Sequence, residues 1–216
     1  MIVKGNINSY IDGNLNITAF CNNFDFIIDK EVKECEVRLY DNRTITTDQR
    51  KKIYATMRDI SEWSGHLPEQ IKALLKYDFI AKTGCDYFSL SDCSITTARE
   101  FLEFLIEFCI ENRIGCTDSL ALRSPDINKY IYVCLLHKTC CISGLKSDLH
   151  HIDSVGSGRD RRKIIHEGMS VLPLSRKYHN ECHLIGDKSF IEKYHLSEIK
   201  LDKKLCNVYG LKTYAD

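Results

Sequence analysis

Four histidines in two motifs constrain this chain more than any other feature. His150 and His151 are adjacent, and His179 and His183 stand four apart. On a helix the second pair shares one face. On extended backbone the first pair points opposite ways, so neighbouring rings can take different tasks. One imidazole can bind a metal while the other stays available to take a proton. That division suits phosphodiester hydrolysis, which needs a Lewis acid at the phosphate and a base for water.

A chain of 216 residues can form one large or two small domains, and its 44% hydrophobic share supports a real core. Thirty basic residues balance thirty acidic ones. Overall charge therefore gives no support to nucleic-acid binding, and any basic surface is local. The eleven cysteines follow no apolar leader, so they read as reduced thiols of a soluble, cytoplasmic protein. Cys35, Cys109 and Cys134 sit at apolar positions and read as small hydrophobes. No stretch approaches the ~20 apolar residues of a membrane span, so no membrane partner is expected.

The periodicity predicts an α+β protein. Asp12-Gly13 signals a hairpin between two alternating runs. Cys35, Val37 and Leu39 alternate with charged residues, as a half-buried strand does. Thr47 is a candidate cap for a helix reaching about Trp63, with Ile53, Met57 and Ile60 inward. Leu67-Pro68 opens a second helix carrying Ile71, Leu74, Leu75 and Phe79. Thr97 and Glu100 have capping-box spacing ahead of Phe101, Leu105, Phe108 and Cys109. Ser124-Pro125-Asp126 starts a fourth helix bearing Ile127, Ile131 and Leu135. The expected layout is a front module over residues 1–120, a connecting helix over 121–138, a histidine-rich domain over 139–198 and a tail over 199–216.

LHHID and SVLPLSRKYHNECH, in that order, resemble the HNH endonuclease family with its ββα-metal unit. The resemblance covers roughly the final third of the chain. It implies that His151 is the general base, and that His150, His179 and His183 hold one divalent metal ion. Three imidazoles favour Zn, Ni or Mn over a site built only for Mg. Ser170 stands where the family has its central asparagine, with less reach to fix the loop behind the base. Relatives often carry a structural zinc knot. Its positions here are Cys140, Ser143, Ser175 and Tyr178, so no structural zinc is expected. His137, His166 and His195 have no motif support and read as structural. Arg159, Arg161, Arg162 and Lys163 form a basic run that serves either phosphate contact or a solvated loop. Arg176 and Lys177 are candidates for the same face.

The stretch TITTDQRKKIYATMRDISEWSG resembles the lambdoid Orf (NinB) recombination proteins. That resemblance implies a phage-type module, dimeric, binding single-stranded or branched DNA and engaging the host single-strand-binding protein. Arg43, Arg50, Lys51 and Lys52 are candidate contacts, although a charged helix face is more often solvated. The function expected is a metal-dependent HNH DNA endonuclease coupled to a recombination module. The alternative is a catalytically inactive mediator that binds DNA and single-strand-binding protein.

Overall fold

The computed structural model describes residues 5–21, 24–31, 37, 43–152 and 164–214. Its architecture is α+β, as the periodicity predicts.

Asp12 and Gly13 both take positive φ, 49° and 80°. A two-residue hairpin turn needs that backbone to match the twist of its strands. They join β1 (Gly5–Ile11) to β2 (Asn14–Ala19) in an antiparallel pair. A short helix, α1 (Phe24–Asp29), follows. The alternation around Cys35 and Leu39 lies outside the described residues.

Three helices then build the front core: α2 (Thr47–Ser64), α3 (Pro68–Thr83) and α4 (Ile95–Glu111). Thr46, not Thr47, caps α2. Its hydroxyl accepts the Gln49 N–H at 3.1 Å, and Gln49 Oε1 accepts the Thr46 N–H at 3.0 Å. Adjacent threonines look alike as caps, and the glutamine three residues on selects between them. Likewise Ser94, not Thr97, caps α4, with its hydroxyl accepting the Thr97 N–H at 3.0 Å. The helical stripes pack as spaced: Ile53, Met57, Ile60, Ile71, Leu75, Phe79, Phe101, Leu105 and Cys109 are all buried. Leu74 departs from its stripe and is 53% exposed. Phe79 and Phe88 both meet Phe101 edge-on, at centroid distances of 5.3 and 5.4 Å. Each such contact adds about 0.5–1.5 kcal/mol beyond the area it buries. A buried ion pair ties α5 (Leu120–Arg123) to α2: Arg123 Nη1 lies 2.6 Å from Asp59 Oδ2.

Helix α6 (Ile127–Leu136) is capped by Asp126, whose carboxylate accepts the Lys129 N–H at 3.1 Å. It packs on α4 from one side and on the second sheet from the other. Tyr130, Ile131, Cys134 and Leu135 are buried there, within one continuous hydrophobic cluster. The second sheet is antiparallel, ordered β3 (Asp148–His151), β4 (Ser170–Leu174), β5 (Ile199–Lys200). All of β4 is buried. A proline inside a central strand would break the ladder. Pro173 avoids this because β5 pairs only with Ser170 and Val171. Helices α7 (Arg176–Ile185) and α8 (Asp187–Tyr194) follow β4, and α9 (Lys203–Tyr209) returns to α6. Among the described residues no helix is long and apolar enough to cross a membrane.

Candidate metal centre

Strand β3 puts its two histidines to different uses. His150 pairs across the ladder with Leu172, and His151 with Val171. Successive side chains leave a strand on opposite faces. His150 therefore points toward α7, which lies against β3 and β4. His151 points the other way.

On α7, His179 and His183 are one turn apart and face His150. The ring centroid of His150 lies 4.8 Å from that of His179 and 4.9 Å from that of His183. His179 and His183 are 4.7 Å apart. One nitrogen from each of the three rings falls within 4.8 Å of the others. His150 is buried, His179 half-buried and His183 exposed, so the cluster opens to solvent at one side.

Two ring nitrogens carry the argument that these residues fit a cation. Nδ1 of His150 and Nδ1 of His179 are buried and make no hydrogen bond. An unpaired buried polar atom costs about 1–3 kcal/mol. Three convergent imidazoles, two with a buried idle nitrogen, match the donor set of a transition-metal site. Burial, together with the neighbouring His150, His183 and Arg176, holds the His179 pKa below its ordinary value of 6.5. That keeps the ring neutral, the form that binds metal.

The other nitrogen of His150 is fixed. Nε2 lies 2.8 Å from Asp187 Oδ1. The same oxygen lies 3.2 Å from Cys182 Sγ. Burial works against the charge on Asp187, but its hydrogen bonds with His150 and Cys182 outweigh it and lower the pKa. The Cys182 thiol is pushed up to about 12 by burial and by Asp187. It is thus a protonated donor to the carboxylate rather than a thiolate ligand. Gly186, with φ of 85°, turns the chain between α7 and α8 and so brings Asp187 back onto His150. A carboxylate on the far nitrogen of a ligating histidine orients the ring and raises its basicity. Replacing Asp187 by Asn is expected to weaken metal affinity about 10- to 100-fold. Competition titration with a chelating indicator checks it.

A pH dependence follows from His179. Its folded-state pKa lies below its unfolded value of 6.5, so the unfolded chain takes up the proton first. This contribution to stability is fully present above the unfolded value and is lost as pH falls through the folded one. The metal-free chain should melt at lower temperature as pH drops below 6.5, and His179→Gln should flatten that slope in thermal melts.

His151 meets a residue that sequence motifs passed over. Its Nε2 lies 3.0 Å from His166 Nδ1, with ring centroids 5.1 Å apart. His166 is 7% exposed. His166, read from the sequence as structural, thus touches the candidate base. Ser170 is buried at the start of β4, and its carbonyl accepts the Ile152 N–H at 2.9 Å, just beyond His151. His195 closes α8 with a positive φ of 50°, and His137 ends α6 within 3.7 Å of Glu111.

The zinc-knot positions are neighbours in space. Ser143 Oγ and Ser175 Oγ are 3.5 Å apart, and the Ser143 N–H points to Cys140 Sγ at 3.5 Å. Tyr178 stacks edge-on against Tyr194 instead. Cys140 and Cys141 are fully buried thiols. Arg159, Arg161, Arg162 and Lys163 lie outside the described residues. Arg176 pairs with Asp148 at 3.0 Å, Lys52 with Asp48 at 3.1 Å, and Arg50 donates to the Ser91 carbonyl at 2.6 Å.

No curated protein and no solved structure matches the chain. One family model does, described as "Putative HNHc nuclease", and it matches residues 19–212. That span takes in the front helices, the second sheet and all the histidines of the centre, and the chain belongs to this nuclease family.

Proposed function

We propose that the protein is a metal-dependent DNA endonuclease that hydrolyses phosphodiester bonds. One observation carries the reading: three imidazoles converge, two of them with a buried idle nitrogen, while the adjacent ring on the same strand faces elsewhere. His150, His179 and His183 hold the cation, which supplies Lewis-acid stabilisation of charge at the phosphate. Asp187 orients His150. His151 takes the proton of the attacking water, since an imidazole titrates near neutrality. The three ligand nitrogens suit Mn, Ni or Zn, and Mg can occupy such a site only with water oxygens completing its shell. Arg159, Arg161, Arg162 and Lys163 bind backbone phosphates and so position the duplex without reading its sequence.

The front helices supply the substrate class. Their resemblance to Orf-type recombination proteins supports branched or single-stranded DNA as the target. It also supports a homodimer, a phage setting in the host cytoplasm and a contact with host single-strand-binding protein. A second reading rests on Ser170, whose short side chain replaces an asparagine. In it the protein is an inactive mediator that binds DNA without cutting. Purified protein with Mn or Ni and end-labelled branched, single-stranded and duplex DNA separates the two. Metal-dependent cutting supports the endonuclease, and binding without cutting under every metal supports the mediator.

A further inference from the structure

Cys109 and Cys116 form a thiol pair that the metal centre does not use. We propose that they are a redox pair: hydrogen peroxide oxidises Cys116, and Cys109 resolves the product into a disulfide. The inference is independent of the endonuclease reading.

The turn that ends α4 brings the two together. The Ile114 N–H donates to the Cys109 carbonyl at 2.9 Å, and the Arg113 N–H to the Ile110 carbonyl at 3.2 Å. Arg113 takes the left-handed backbone that such a turn requires, with φ of 53°. The chain doubles back, and the Cys116 side chain reaches the last turn of α4. Its Sγ lies 3.7 Å from the Ile114 carbonyl oxygen, and the two thiols hydrogen-bond to each other. Sulfurs already in contact need only a small shift to bond.

Their surroundings separate their tasks. Cys109 lies in the core, 1% exposed. Its hydrogen bond with Cys116 and its burial both raise its pKa, so it keeps its proton. Cys116 is half-buried between exposed Gly115 and Thr117, where a small oxidant can arrive. The hydrogen bond with Cys109 acts most strongly on its thiol and lowers the pKa; burial and Asp59 oppose it, Arg123 assists it, and the net direction is downward. A thiolate is the form that attacks an oxidant. The Cys116 sulfur attacks one peroxide oxygen: the S–O bond forms, the O–O bond breaks, and the other oxygen leaves as hydroxide and takes a proton from solvent. Cys116 is then a sulfenic acid. The Cys109 sulfur attacks it, the S–S bond forms, the S–O bond breaks, and the hydroxyl departs as water with the Cys109 proton. Two thiols are oxidised and one peroxide is reduced to water. A dithiol reverses the bond by exchange. On the same turn, Thr117 donates to Asp59 at 2.7 Å and Asp118 accepts from Arg123 at 3.3 Å. The disulfide thus forms beside the ion pair that ties α5 to α2.

Peptide mapping tests it on the full chain, kept metal-free with a chelator. Peroxide is added below one equivalent, remaining thiols are alkylated, and the chain is cut with trypsin. Arg113 separates the two cysteines, so fragments 100–113 and 114–123 carry one each. The first product should be these two fragments linked, with the loss of two hydrogens, and a dithiol should part them. Cys109→Ala should abolish the link and leave Cys116 as a sulfenic acid that dimedone traps. Cys116→Ser should abolish the link and leave Cys109 unoxidised. Cys21 and Cys85, the other half-buried thiols among the described residues, serve as controls. The proposal is overturned if Cys116 is oxidised no faster than Cys21 and Cys85, or if it links to another cysteine. It is overturned equally if Cys109 is oxidised as readily in Cys116→Ser, or if a folded Cys109→Ala yields no dimedone adduct at Cys116. Should Cys109→Ala not fold, the order of oxidation and the linked partner in the unaltered chain decide.

Discussion

A His151→Ala chain is expected to bind its metal as tightly as the unaltered protein and to cut DNA about 100- to 10,000-fold more slowly. That range is what a positioned general base contributes. The separation of effects comes from the pleat of β3. His150, His179 and His183 cluster on the side of α7, whereas the ring of His151 meets His166. Removing His151 leaves the three candidate ligand rings and the Asp187 contact in place. Cutting rates on labelled DNA, set beside metal titration of the same preparation, check both halves. Loss of metal affinity together with cutting would mean that the two rings are not independent.

The second large effect concerns the ligands. Saturating metal should raise the stability of the unaltered chain by about 2.7 kcal/mol when its concentration is 100 times Kd. For a chain of this size each kcal/mol moves the melting temperature by roughly 2–4 °C. A shift of about 5–11 °C is thus expected. In His150→Ala, His179→Ala and His183→Ala the metal-dependent part of that shift should vanish. The metal-free baselines should differ among them. His150 is 1% exposed, so its truncation leaves a cavity and leaves Asp187 with Cys182 but without its imidazole partner. His183 is exposed, so its truncation should leave the metal-free melting point nearly unchanged. Calorimetric melts with and without Mn or Ni measure both quantities. A metal-induced shift that survives in His179→Ala would place the cation elsewhere.

Local periodicity carried much of this structure into view before any coordinates. The stripes of Ile53, Met57 and Ile60 and of Phe101, Leu105 and Cys109 point inward because a 3.6-residue repeat fixes which side chains share a face. The opposed directions of His150 and His151 follow from a two-residue repeat. What escaped the sequence depends on contacts that carry no spacing rule. His166 reaches His151 from 15 residues further along the chain, and nothing in its sequence neighbours marks it. Asp187 was hidden for another reason: its approach to His150 depends on the turn at Gly186, and that glycine alone does not say where the next residue lands. Thr46 and Thr47 differ in the sequence itself, since only Thr46 has a glutamine, Gln49, at capping-box spacing. Strand β5 is two residues long, too short to show any alternation.

Helix α6 is sandwiched, with α4 on one side and β4 on the other. Its neighbour β4 hides Val171, Leu172 and Leu174 completely. The histidine-rich portion is therefore not a cassette that can be excised and grafted onto another scaffold. Severing the chain after Lys138 would strip α6 from β4 and leave a greasy, aggregation-prone wall beside the candidate metal ligands.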